Sequence, residues 1–274
     1  MRGLLLCFGL LPGLLWANPL RLISLAPHTT ELVYSLDAGD QLLAVSAHSD
    51  YPQEAQSLPQ VADYQGVNFE AIMRLKPDLI LAWQGGNKPQ DLQRLASLGF
   101  EIFYSNPNRP LDIADEVIAL GKLLDKEALA QQLATAFKQQ LNDIAADYRA
   151  VPSRKVFYYM WPKPLMSIGP GAWANHLLSL CNANNIFADA PNDYPEVTFE
   201  AVIARRPQTL IAANKQPLNQ QKQMWQPWLA SLTLSEADVV QVNPDNLHRF
   251  SLRLPDGVQQ LCEGIHRSST ISMQ

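Results

Sequence analysis

Three aromatic side chains of this sequence fall where an open α/β sheet binds ligands. Tyr64 precedes a Gln-Gly pair, Trp83 ends an apolar run typical of a strand, and Tyr194 lies in a proline-flanked loop. Ligands of such sheets bind outside the carboxyl ends of the strands, against the loops that follow them. We therefore interpret these side chains as walls of a ligand cleft. Simple edge packing is the alternative for Trp83.

Two polar groupings also come after predicted strands. Residues 48–52, His-Ser-Asp-Tyr-Pro, follow one of them, and Asp245 and Arg249 flank a short predicted loop near the last strand. A polar turn is the alternative for the first grouping. A surface ion pair, which contributes little energy, is the alternative for the second.

Sequence motifs for catalysis or metal binding do not occur in the chain. H-E-x-x-H, C-x-x-C, the Walker loop and G-x-S-x-G are all missing from the sequence. We therefore predict a protein that is not an enzyme, with no catalytic residues, no cofactor and no metal site of its own. The net charge of -5, without a block of basic residues, argues against a nucleic-acid partner.

The N-terminus is typical of a secretion signal. Arg2 precedes an apolar run over residues 4–16, and the small Ala17 follows it. The run is shorter than the ~20 residues that a membrane-spanning helix needs. We expect residues 1–17 to be removed and the mature chain to be exported. A buried N-terminal helix or a retained anchor is the alternative.

The cysteines are consistent with export. Cys7 leaves with the predicted signal, so Cys181 and Cys262 remain in the mature chain. Two cysteines in an exported protein are a natural disulfide pair. In the chain-entropy model such a bridge contributes about 4–5 kcal/mol. Two free buried thiols are the alternative.

Apolar runs that alternate with helical patterns indicate an α/β protein. The runs at 21–24, 41–46, 79–83 and 101–104 predict strands, residues 69–75 predict a helix, and Thr29 to Glu31 are interpreted as residues that cap another helix. Apolar residues recur every three or four positions from 126 to 150, which predicts one helix of roughly 36 Å. A strand pattern starts again at 155–160.

An internal repeat supports two lobes. Residues 69–80 resemble residues 199–211, each block reading as a helix, a basic residue, a proline and an apolar strand. A chance match of a common pattern is the alternative. We predict two α/β lobes, each with a central, mostly parallel sheet flanked by helices, joined by one long linking helix. The division is 1–17 signal peptide, 18–124 N-terminal lobe, 125–150 linking helix and 151–274 C-terminal lobe.

Several blocks of the sequence resemble the periplasmic cobalamin-binding proteins, which belong to the substrate-binding proteins with a helical backbone (class III). The blocks are residues 49–52, 65–70, 76–80, 83–87 and 95–99 in the first lobe, and Cys181, 185–187, Asp245, Arg249 and Ser251 in the second. The likeness covers nearly the whole mature chain. Residues 76–80 are shared with haem- and siderophore-binding relatives, whereas 65–66 and 83–87 are much more specific to cobalamin binders.

The resemblance implies a function. A protein of this kind captures cobalamin (vitamin B12) in the cleft between its lobes and delivers it to an inner-membrane ABC permease, and it is a monomer when free. The resemblance assigns cobalamin contacts to His48, Tyr64, Trp83, Met166, Tyr194, Asp245 and Arg249. It also implies that Glu70 and Glu200 meet arginines of the permease. The repeat places these two at equivalent positions; helix-start carboxylates favoured by the helix dipole are the alternative.

The chain departs from the family pattern at four contact positions. The pattern has Tyr at 48, Trp at 64 and 194 and another aromatic residue at 166, where this chain has His, Tyr, Tyr and Met. A neutral imidazole is a good ligand for a transition metal, so coordination of cobalt by His48 is one hypothesis. We favour a hydrogen bond from His48 to a rim amide or to water. The alternative function is haem or siderophore binding, with His48 or Tyr64 as the axial ligand of haem iron.

Overall fold

A computed structural model describes residues 19–270, and only the backbone of residues 268–270. The predicted signal peptide lies outside this range. Among the described residues, the structure contains no helix that is both long enough and apolar enough to span a membrane.

The first lobe is built on a six-stranded sheet with the order β4-β3-β2-β1-β5-β6. Its strands are parallel except for the β3–β4 pair. Because helices cover the central strands on both faces, these are apolar throughout, as parallel sheets require. The strands are β1 Leu22–Ser24, β2 Leu42–Ser46, β3 Gln60–Asp63, β4 Gly66–Val67, β5 Leu79–Trp83 and β6 Ile102–Ser105; the helices are α1 Pro27–Ser35, α2 Phe69–Leu75, α3 Pro89–Ser97 and α4 Asp112–Leu123.

The second lobe has a five-stranded sheet with the order β11-β10-β7-β8, in which β9 also pairs with β7. The long β7 pairs with β9 through its first half and with β8 through its last residues. The strands are β7 Arg154–Pro162, β8 Leu165–Ser167, β9 Ala183–Asn185, β10 Thr209–Ala212 and β11 Val239–Gln241; the helices are α6 Ala174–Leu180, α7 Phe199–Arg205, α8 Leu218–Trp225, α9 Leu229–Leu232, α10 Pro244–His248 and α11 Leu254–Thr270.

One helix, α5 (Glu127–Tyr148), joins the lobes and confirms the predicted linking helix. Its apolar stripe packs against α4 of the first lobe and against α6 and α11 of the second. The buried positions of the stripe are Ala130, Ala134, Phe137, Leu141 and Ile144. As a result, a single hydrophobic cluster runs from Leu22 of the first sheet to Val156 of the second. The exact limits of the lobes, 18–124 and 151–274, stay a prediction.

The internal repeat corresponds to two copies of one helix–strand unit. Asn68 and Thr198 each cap their helix by accepting a hydrogen bond from a backbone N–H, at 3.0 and 3.2 Å. Lys76 and Arg206, which follow α2 and α7, both adopt the left-handed conformation, with φ of 48° and 50°. The two helices thus have matching caps at both ends.

The predicted disulfide is present. Cys181, at the end of α6, is bonded to Cys262 of α11, with Cα atoms 4.8 Å apart. Both residues are fully buried. The bridge therefore fixes two helices of the second lobe that pack against the linking helix.

Two local predictions were wrong. Helix α1 begins at Pro27 rather than near Thr29, and it has no side-chain cap; proline suits a first helical position because its missing N–H has no partner there. Asp245 and Arg249 do not flank a loop, because residues 244–248 form the short helix α10, which Asn243 caps.

Candidate functional site

A buried network of hydroxyl groups joins the start of α1 to the segment after β2. Ser24 Oγ lies 2.7 Å from Thr29 Oγ1 and 2.8 Å from Thr30 Oγ1. Thr30 Oγ1 in turn lies 3.1 Å from Ser49 Oγ. These contacts hold residues 48–52 beside α1, so that Glu31 on the helix and Asp50 in the segment reach the same guanidinium group of the second lobe.

Glu31 is a buried carboxylate that binds two arginines of the second lobe. Its side chain is 2% exposed. It accepts hydrogen bonds from Arg253 Nε at 2.9 Å and Nη2 at 2.5 Å, and from Arg249 Nη1 at 3.3 Å. A buried charge requires such partners, because an unpaired carboxylate away from water is strongly destabilising. Glu31 thus forms an ionic contact between the lobes.

Arg249 lies at the centre of this contact. Its guanidinium pairs with Asp50 of the first lobe and lies 3.3 Å from Asp245 of its own lobe. The hydrogen bond from Arg249 lowers the pKa of the Asp50 carboxyl below its ordinary value. Burial alone would lower the pKa of Arg249, but the hydrogen bond to Asp50 and the charges of Asp245, Asp50 and Glu31 raise it. Lys215 completes the network through a 2.7 Å ion pair with Asp245.

Aromatic rings of both lobes meet next to these charges. Trp83, at the carboxyl end of β5, makes an edge contact with Phe250 of the second lobe at 5.6 Å between ring centroids. His28 lies between them, 5.6 Å from Trp83 and 5.4 Å from Phe250. Trp173 also packs against Phe250, at 4.6 Å between ring centroids. We name His28, Trp83, Trp173 and Phe250 the aromatic cluster.

A chain of hydrogen bonds fixes the histidine of the aromatic cluster. His28 Nε2 lies 2.8 Å from Ser105 Oγ, which donates to Glu116 Oε2 at 2.7 Å. Burial lowers the pKa of His28 to about 3, so the ring is neutral at physiological pH. Burial also raises the pKa of the Glu116 carboxyl. The first-lobe half of the aromatic cluster is therefore held in place by groups on β6 and α4.

The predicted site residues divide into two sets. Trp83, Asp245 and Arg249 belong to the contact between the lobes. His48, Tyr64 and Tyr194 lie at the surface: His48 is exposed with a left-handed φ of 64°, and Tyr64 and Tyr194 are 85% and 50% exposed. Met166 is half-buried on β8, opposite the exposed Trp161 of β7. The ring contacts of Trp83 are with His28 and Phe250, and none is with His48, Tyr64 or Tyr194.

Each lobe also has a cavity. The first, of about 590 Å³, includes residues 60–63 of β3 and the Gln65–Gly66 turn that carried the family likeness. Gly66 is required there, because its φ is +133° and a Cβ would lie 2.7 Å from Asp91 Oδ2. The second, of about 620 Å³, is lined by Trp161, Met224 and polar side chains.

Comparison with known proteins identifies the family. Residues 22–237 match the family model described as "Periplasmic binding protein". The chain belongs to the periplasmic binding protein family. It is 40% identical over 243 residues to the protein named vitamin B12-binding protein of Vibrio cholerae serotype O1 (strain ATCC 39541), a match that covers 88% of this chain and 87% of the relative.

Solved structures agree with this family. The crystal structure of the periplasmic vitamin B12 binding protein BtuF of Vibrio cholerae is similar to this periplasmic binding protein, with a TM-score of 0.83 and 37% identity, over 92% of this chain and 98% of that one. A periplasmic heme binding protein from Pseudomonas aeruginosa has a TM-score of 0.77 and 21% identity, over 91% and 94% of the chains. At that identity the likeness shows the shared fold alone. The predicted fold class is confirmed.

Sequence reasoning missed several residues of this periplasmic binding protein's lobe contact: His28, Glu31, Trp173, Phe250 and Arg253. The signal for Glu31 in the sequence was weak. Glu31 is part of helix α1, whose residues 28–33 are all buried in the structure, and a buried glutamate must find a partner. The partner of Glu31 is 222 residues away in the chain, and neither spacing nor periodicity indicates it.

Proposed function

We propose that this protein captures cobalamin between its two lobes and delivers it to an ABC permease of the inner membrane. The observation that carries the proposal is the aromatic cluster between the lobes, in a chain 40% identical to a protein named vitamin B12-binding protein. A corrin ring offers broad apolar faces, and burial of such faces against aromatic walls contributes about 25 cal/mol per Å². The amides of its rim need hydrogen-bond partners, which the ionic contact supplies.

Trp83 is the ligand contact that the arrangement supports best. It is half-buried at a strand end, and its ring lies against Phe250 of the opposite lobe. We further propose that Asp245 and Arg249 bind the corrin rim, and that His48, Tyr64, Met166 and Tyr194 contribute outer contacts. Hydrogen bonding by His48 to an amide or to water stays our prediction, rather than coordination of cobalt.

The proposed role is transport, with cobalamin as cargo rather than cofactor, and with the protein acting as a monomer in the periplasm. Glu70 and Glu200 are the proposed contacts with the permease. Both carboxylates are exposed on the first turn of equivalent helices, α2 and α7. Glu70 is paired with Arg74 at 2.7 Å, an exposed pair that a stronger partner can replace.

Calorimetric titration of the mature protein tests the proposed ligand. We expect cyanocobalamin to bind with a stoichiometry of one and haemin to bind much more weakly. Binding of haemin without binding of cyanocobalamin would show that the protein belongs with the haem binders that share its fold.

Replacement of the aromatic wall tests the proposed site. Trp83→Ala should weaken cyanocobalamin binding at least tenfold, because a buried aromatic contact is worth more than the ~1.4 kcal/mol that this factor represents. Leu98→Ala removes an exposed apolar side chain at the end of α3 and serves as the control. Equal affinities of the two variants would place the ligand elsewhere.

A further inference from the structure

The ionic contact between the lobes suggests how the cleft selects its ligand. We infer that Glu31 and Asp50 neutralise the arginines of the second lobe and thereby exclude planar tetrapyrroles that carry carboxylates, such as haem, in favour of a corrin with neutral amides. The inference rests on the proposed function and deepens it, since it assigns specificity to two first-lobe residues outside the proposed set of ligand contacts.

The network is balanced in charge. Lys215, Arg249 and Arg253 supply three cations, and Glu31, Asp50 and Asp245 supply three carboxylates. Every cation of the network is paired with at least one of these carboxylates. The carboxylates come from both lobes, so the second lobe on its own would present two guanidinium groups and one ammonium group against a single carboxylate.

Two histidines near the network, His28 and His248, add no positive charge at neutral pH. Burial lowers the pKa of His28 to about 3 and that of His248 to about 4. His28 belongs to the aromatic cluster, and His248 immediately precedes Arg249 and bonds Tyr158 Oη at 2.8 Å. Neither imidazole therefore offers an anionic ligand a positive charge.

A carboxylate that leaves water for this cleft requires a cation of its own. To reach Arg249, it must displace Asp50 and come to lie near that like charge. Neutral amides face no such requirement, because they can donate to the carboxylates and accept from the remaining N–H groups of a network that stays paired. The network thus disfavours the binding of tetrapyrroles that carry carboxylates, and it allows the binding of a corrin rim with neutral amides.

Asp50 and Glu31 have different roles in the exclusion of tetrapyrroles that carry carboxylates. The Glu31 side chain is 2% exposed beneath the arginines, whereas the Asp50 side chain is 47% exposed. Asp50 is therefore the carboxylate that an entering ligand meets. It is also the one whose replacement leaves the buried Glu31–Arg253 pair intact.

Asp50→Asn tests the inference, with haemin as the probe and cyanocobalamin titrated in parallel. We expect this variant to bind haemin about tenfold more tightly than the wild type, because a neutral amide at position 50 neither repels a carboxylate nor holds Arg249 as strongly as Asp50 does, and one charge-assisted hydrogen bond to Arg249 corresponds to about that factor. A second replacement, Arg249→Gln, in the Asp50→Asn background should remove the gain. Asp189→Asn is the matched control, since it frees Arg205 from a single exposed ion pair elsewhere.

The results separate this inference from the proposed ligand. Unchanged haemin affinity in Asp50→Asn, an equal gain in Asp189→Asn, or a gain that persists without Arg249 overturns the inference while cobalamin binding by the wild type stands. Failure of the wild type to bind cyanocobalamin defeats the proposed ligand instead. A tenfold gain confined to variants that keep Arg249 supports the assignment of specificity to Asp50.

Discussion

At the scale of single residues, His28 is a buried base that resists protonation. The pKa of this imidazole is 6.5 in the unfolded chain, and burial lowers this pKa to about 3 in the folded protein. Between these values the unfolded state binds more protons, so the free energy of unfolding falls as the pH falls. Above pH 6.5 both states are neutral at this position, and the residue contributes no pH dependence.

His28→Gln should therefore flatten the pH dependence of stability on the acid side. Between pH 7.5 and pH 5, we expect the wild type to lose about 2 kcal/mol more than the variant. Urea unfolding at several pH values measures the difference. A difference in overall stability between the two proteins does not affect the test, because the test compares how steeply the free energy of unfolding changes with pH. Parallel curves for the two proteins would mean that His28 has nearly the same pKa in the folded protein as in the unfolded chain.

The residue scale is also where sequence prediction was least complete. Trp83 and Arg249 could be selected because aromatic and charged side chains near strand ends are visible in the sequence. Their neighbours could not, since Phe250 and Arg253 are ordinary helix-flanking residues until the fold brings them to Trp83 and Glu31. Partners so distant in the chain leave no local pattern.

At the scale of the elements, the repeated unit ends each of its helices in the same strained way. Lys76 and Arg206 adopt left-handed backbone angles, with φ near 50°, that cost an L-residue with a Cβ about 1–2 kcal/mol. Lys76→Gly and Arg206→Gly should each raise the free energy of unfolding by about 0.5–1 kcal/mol, after the greater entropy of glycine in the unfolded chain is subtracted. Urea denaturation measures each variant.

A glycine in the interior of the same helix provides the control. Met73, exposed on α2, has a helical backbone, so Met73→Gly should destabilise the protein by about 1 kcal/mol. Opposite signs for Lys76→Gly and Met73→Gly are expected. Destabilisation by Lys76→Gly would show that the lysine side chain, rather than backbone strain, decides stability at this position.

Helices and strands with a clear periodic pattern or run of apolar residues were predictable from the sequence, and short or polar elements were not. β5 and α2 were predicted at their observed bounds, and α5 was predicted within two residues at each end. Helix α10 was read as a loop because five residues are too few for a helical period to show. The β3–β4 hairpin went unassigned, since its second strand is only two residues long.

At the scale of the whole molecule, the lobes are joined by a common core as well as by α5. The hydrophobic cluster that contains Leu22 and Val156 also includes the buried face of α5 and Cys181 and Cys262 of the disulfide. The aromatic cluster and the ion pairs of Glu31 add contacts at the cleft side. The repeat in the sequence indicated two lobes. The contact between the lobes could not be predicted, because it depends on packing between residues that are far apart in the chain.

The repeat also sets the geometry of the proposed permease contact. Because α2 and α7 are equivalent helices, Glu70 and Glu200 present one exposed carboxylate per lobe. Glu70→Lys with Glu200→Lys should block cobalamin uptake by cells that carry the permease, since each reversed charge would face an arginine at close range. The same purified variant should bind cyanocobalamin with wild-type affinity, because neither side chain contacts the lobe interface.

A charge-matched variant separates docking from net charge. Glu101→Lys with Glu127→Lys reverses two exposed carboxylates at the start of β6 and of α5, and it changes the net charge by the same amount. Normal uptake with this control and failed uptake with the docking variant would locate the permease contact on α2 and α7. If the docking variant supports normal uptake, Glu70 and Glu200 only stabilise the first turns of their helices through the helix dipole.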